Sequence, residues 1–62
     1  MSKDSFTQRL REMYPVNADY RNAFRDADEF VEYWCGEVLK RSGGTWDYQT
    51  ANEVMTLVVI SR

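Results

Sequence analysis

TWDYQTANEVMTLVVI, residues 45–60, decides the fold class. At helical spacing, Tyr48, Ala51, Met55 and Val58 fall on one stripe, and Thr50 with Glu53 has the spacing of a capping box. At a period of two, Trp46 and Tyr48 alternate with polar residues, and Val58-Val59-Ile60 is a β-branched run that suits a hairpin turning at Ala51-Asn52. The helical reading, which we favour, predicts an all-α domain of three to four helices. The alternative is an α+β fold with a C-terminal β-hairpin from residues 45–60.

Upstream of this segment the signals are helical. In DADEFVEYWCGEVLKR, residues 26–41, a rotation of about 100° per residue from Phe30 gathers the apolar Phe30, Val31, Trp34, Cys35, Val38 and Leu39 on one half of the wheel. Glu29, Glu32, Tyr33, Gly36, Glu37 and Lys40 occupy the other half. Asp26 or Asp28 suits the N-cap, Lys40 and Arg41 suit the negative end of the macrodipole, and Gly43-Gly44 ends the helix. A first helix is expected from Asp4 or Ser5, with Phe6, Leu10 and Met13 on its inner stripe, stopping before Pro15. Asn17 suits the cap of a short helix, ADYRNAFR, with Tyr20, Ala23 and Phe24 as its apolar contacts.

Sixty-two residues, 44% apolar and 15% aromatic, describe a single folded domain over 1–62. A domain this short buries about 60% of its unfolded surface and has a stability of roughly 3–9 kcal/mol. The single cysteine, Cys35, permits no internal disulfide, and a reducing cytoplasmic setting is the expectation. The N-terminal residues carry no signal-peptide pattern, and the longest uninterrupted apolar run, Leu57 to Ile60, is too short to span a bilayer.

The residues that usually carry chemistry are scarce. There is no histidine, one cysteine cannot make a CxxC site, and Gly43-Gly44 lacks the rest of a phosphate-binding fingerprint. Asp26, Asp28 and Glu37 match positions 1, 3 and 12 of a calcium loop, but Val31 stands where that loop needs glycine. No enzyme, cofactor or metal site is expected. Cys35 lies on the apolar half and reads as a small buried hydrophobe rather than a reactive thiol. Gly36, inside a helix, costs about 1 kcal/mol relative to Ala. It is either a tolerated lapse or a place where another backbone comes close.

Charge is unevenly spread. The net charge is −2, yet residues 26–37 hold five acids (Asp26, Asp28, Glu29, Glu32, Glu37) and no base, while residues 1–25 carry a small positive excess. Helix capping and the macrodipole account for Asp26, Asp28 and Glu29, and Glu37 can pair with Arg41 one turn on. Five charges over roughly 16 Å of helix give about one per 3.3 Å. One DNA strand carries about one phosphate per 3.4 Å. Such a helix suits a Lys/Arg groove built for nucleic acid, with exposed Tyr33 as an anchor. The competing surface is Arg9, Arg11, Arg21 and Arg25, which would serve a small nucleic-acid-binding or host-protein-binding regulator, though four arginines on an acidic chain are a weak footprint.

From MSKDSFTQRLREMYP through DADEFVEYWCGEVLKRSGGTWDY, the chain resembles small phage-encoded anti-CRISPR proteins that inhibit type I-C systems. Such inhibitors share no common motif, so no site residue transfers. The resemblance implies a non-catalytic, monomeric inhibitor in the host cytosol whose partner is a protein subunit of the CRISPR-Cas surveillance complex, the Cas8-type subunit of Cascade, with neither direct nucleic-acid nor membrane binding. The expected contact residues are Asp26, Asp28, Glu29, Glu32, Tyr33 and Glu37, presented as a DNA-mimicking acidic surface.

Overall fold

The computed structural model describes residues 1–61. Four α-helices follow one another: α1, Lys3–Met13; α2, Ala18–Ala23; α3, Ala27–Arg41; and α4, Tyr48–Ile60. A 3-10 turn, Tyr14–Val16, joins α1 to α2 and carries Pro15 at its start. There is no strand among the described residues, so the fold is all-α and the hairpin alternative for 45–60 does not occur. Helical spacing wins there because Ala51, Val54, Met55 and Val58 are all buried on one side of α4. Exposed Val59 and Ile60 are carried along by that packing.

The caps fall partly elsewhere than expected. Ser2, rather than Asp4 or Ser5, caps α1 by accepting from the Ser5 backbone N–H at 3.1 Å. Asp47, rather than Thr50, caps α4, accepting from both the backbone N–H and the hydroxyl of Thr50 at 2.8 Å. Asn17 and Asp26 cap α2 and α3 as their sequence positions suggest. At the end of α3, Gly43 and Gly44 take φ of 79° and 100°, and the Gly44 N–H donates to Leu39 O at 2.8 Å. This is the six-to-one bond of a Schellman ending, where only glycine adopts the left-handed turn without penalty.

Phe30 is the centre of the packing. It is fully buried on α3, and its ring lies 4.8 Å from Tyr20, 5.3 Å from Phe24 and 5.5 Å from Tyr14, centroid to centroid. Phe6 and Leu10 of α1, Val31 and Val38 of α3, and the four inward residues of α4 complete the core. Two tyrosines tie their hydroxyls to backbone carbonyls: Tyr20 to Val58 at 2.7 Å and Tyr14 to Phe24 at 2.6 Å. Burial of the phenol bodies is thereby achieved without stranding their O–H groups. At the opposite end, Trp46 stacks edge-on against Phe6 at 5.2 Å and donates its indole N–H to Met1 O at 3.0 Å. Ala23, expected inside, is exposed, because α2 is short and turns only Tyr20 inward.

Candidate functional site

Helix α3 touches both α1 and α4, which bury Phe30, Val31 and Val38 of its apolar half, leave Trp34, Cys35 and Leu39 half-buried, and turn its remaining face outward. The start of the helix is closed by its own acids. Asp26 accepts from the Glu29 N–H at 2.9 Å, and Glu29 reaches back to accept from the Arg25 N–H at 3.3 Å. Both carboxylates lie at the positive end of the helix, where anions are favoured.

The five acids divide by environment. Asp28 pairs with Arg11 of α1 at 2.8 Å, Glu29 with Arg25 at 3.5 Å, and Glu37 with Arg41 at 3.4 Å. Asp26 serves as the cap. Glu32 is exposed and has neither an ion pair nor a hydrogen bond among the described residues. Folding therefore interleaves the bases of residues 1–25 with the acids of α3. Arg11 crosses from α1 to neutralise part of α3, because the two helices lie side by side.

These pairs differ in how firmly they hold. The Asp28 side chain is 78% exposed and that of Glu29 45%, so water screens both, and each pair is worth about 0–1 kcal/mol. A partner's cation can replace the chain's own. Glu37 is another case: its side chain is 22% exposed and lies at the border of the buried stripe, beside Arg41. It does not stand with Glu29 and Glu32 on the outward arc, because it follows Tyr33 by four residues, and so stands further toward the Phe30 side of the wheel.

Two open clefts flank Glu32. On one side, Phe24, Glu29, Glu32 and Tyr33 line a depression of about 400 Å³. On the other, a groove of about 480 Å³ runs between α1 and α3, floored by Val31, Cys35, Gly36 and Leu39 and rimmed by Lys3, Arg11, Asp28 and Glu32. Glu32 belongs to both and forms the ridge between them. Tyr33, 51% exposed, packs on Phe24 at 5.4 Å and on Trp34 at 5.1 Å and lines the first cleft. The structure thus brings Glu29, Glu32 and Tyr33 together, sets Asp28 beside them, and leaves Asp26 and Glu37 to local roles.

Phe24 is the residue whose part in this face the sequence reading missed. It lies just beyond α2 at an extended position, half-buried, meeting Phe30 edge-on at 5.3 Å and Tyr33 in a tilted contact at 5.4 Å. Its spacing marked it only as a core contact. Gly36 was weighed for close approach of a backbone, and a Cβ built there meets nothing within 4 Å, so no part of the chain itself comes close. Cys35 is a free, half-buried thiol 3.8 Å from the Thr7 hydroxyl.

The arginine surface is dispersed. Arg11 and Arg25 are engaged with Asp28 and Glu29, Arg21 donates to the Pro15 carbonyl, and Arg9 alone of the four has no partner among the described residues. No group of three or more His, Cys, Asp or Glu positioned to hold a metal ion occurs among the described residues, nor does any helix among them reach the length and apolarity needed to cross a membrane. Comparison with protein-family models, with curated proteins and with solved structures finds no match to this chain.

Proposed function

We propose that the chain is a non-catalytic inhibitor that lays the outward carboxylates of α3 on the Cas8-type subunit of a type I-C Cascade complex and occupies the place of target DNA. The observation that carries this reading is Glu32: an exposed carboxylate without an internal partner, standing on a ridge between two open clefts. Asp28 and Glu29 add charge on either side, held only by screened surface pairs. The resemblance to type I-C inhibitors supplies the identity of the partner.

A groove shaped for DNA offers rows of Lys and Arg with a released-counterion advantage for any polyanion that fits. A stiff helix pays little ordering entropy on docking, which suits stoichiometric blocking by a small domain. The arginine-based alternative is disfavoured by charge, since four arginines on a chain of net charge −2 make a weak footprint for a polyanion.

The test is a competition titration with purified type I-C Cascade, labelled target duplex and the intact chain. One equivalent of inhibitor per complex should abolish duplex binding, and the block should weaken steeply with added salt. Undiminished duplex binding, or a complex holding both duplex and inhibitor, would refute the reading.

A further inference from the structure

We infer that the cleft between Phe24 and α3 is a socket for a single arginine side chain of the protein partner. The inference rests on the docking reading above and adds the residue type that is gripped. The rings of Phe24 and Tyr33 pack directly on each other, 5.4 Å apart and inclined at 54°, and line the cleft together with Glu29 and Glu32, so that half-exposed Tyr33 offers its free side to an incoming group. A surface that only imitated phosphates would need the carboxylates and not the aromatic pair.

The chemistry favours guanidinium over ammonium. Guanidinium is planar and weakly hydrated, stacks on aromatic faces, and offers a fork of N–H donors to carboxylate oxygens. An ammonium is compact and strongly hydrated, and gains less from the ring faces. The chain already shows half of the arrangement: Arg25, 84% exposed, rests its guanidinium 3.5 Å from Glu29. Glu29 is further occupied by the Arg25 backbone N–H. Glu32 carries no such commitments among the described residues, so an incoming arginine takes Glu32 as its acceptor and lies along the Tyr33 ring.

The test is a nuclear magnetic resonance titration of the intact chain at low salt with Nα-acetyl-arginine amide as probe and Nα-acetyl-lysine amide as its comparator. Saturable shifts should be confined to Phe24, Glu29, Glu32 and Tyr33, with dissociation in the millimolar range and the lysine probe at least about threefold weaker. Tyr33→Leu and Glu32→Gln should each weaken the arginine probe by about threefold or more, and Glu53→Gln on α4 should leave it unchanged. Shifts spread evenly over the chain's acids, equal affinity for both probes, or full affinity in Tyr33→Leu would overturn the socket. This titration contains no Cascade. Its failure leaves the docking reading standing, and failure to bind Cascade by a chain with a working socket counts against the docking reading alone.

Discussion

A Cβ added at Gly36 would enter open space on a helix with ordinary backbone angles, whereas one at Gly43 would sit at φ 79°. The two glycines therefore answer the same substitution in opposite ways. Gly36→Ala should raise stability by about 0.5–1 kcal/mol, since only backbone entropy changes. Gly43→Ala should lower it by about 1 kcal/mol or more, because alanine resists the left-handed turn. Urea melts of both variants check the pair, and a destabilised Gly36→Ala would contradict the open surface described. Asp47 offers a test in pH. The backbone N–H of Thr50, and next its hydroxyl, hold the Asp47 carboxyl below the usual Asp range. A group depressed on folding contributes its stability in full above its unfolded value, about 3.9, and loses it as pH falls through the lower folded value. In thermal melts from about pH 6 down to about pH 2, Asp47→Ala should therefore reduce the acid-induced loss of stability relative to the parent chain. At this scale the sequence was legible where chemistry is local: Asn17 and Asp26 cap as their positions suggest. Ser2 and Asp47 were missed because several adjacent residues could cap, and packing of the following stripe decides among them.

Helix α3 shows what periodicity can and cannot tell. Its apolar half was visible from residue spacing, and Phe30, Val31 and Val38 are buried as that spacing demands. The half-turn division also assigned Glu37 to the outward face, which the packing does not. A helix wheel has no knowledge of how far neighbouring helices wrap around it, and here the Phe30 side is covered broadly enough to draw Glu37 to the border. For α4 the ambiguity between helix and hairpin was real at the level of residue preference. It is resolved by Val54, which sequence reading did not place on the stripe and which completes a four-residue buried face with Ala51, Met55 and Val58. The joint of the elements is Phe30, meeting three rings from three different parts of the chain. Phe30→Ala should cost about 3–5 kcal/mol. Against a total of roughly 3–9 kcal/mol, circular dichroism at 25 °C should find the variant largely or wholly unfolded, while Phe30→Leu keeps a cooperative melt at lower temperature.

For the molecule as a whole, the unequal charge of the linear chain becomes a mosaic. The α1 base Arg11 meets the α3 acid Asp28, so net charge by segment overstates the acidity of the folded surface. That pairing was beyond the sequence, because it depends on which helix lies beside which. What survives is smaller and more specific: a ridge made by Glu32, flanked by Asp28, Glu29 and Tyr33, with an aromatic wall from Phe24. Charge reversal at Glu32 is the cleanest probe of this account, since that side chain has no internal partner among the described residues and its replacement leaves the core untouched. The decisive measurement is the affinity of purified type I-C Cascade for the parent chain, for Glu32→Lys and for the control Glu53→Lys, which makes the same change of charge at an exposed position of α4. Glu32→Lys should bind at least about tenfold more weakly while melting like the parent, with Glu53→Lys near parental affinity. Equal loss in both variants, or full affinity in Glu32→Lys, would contradict a docking face centred on α3.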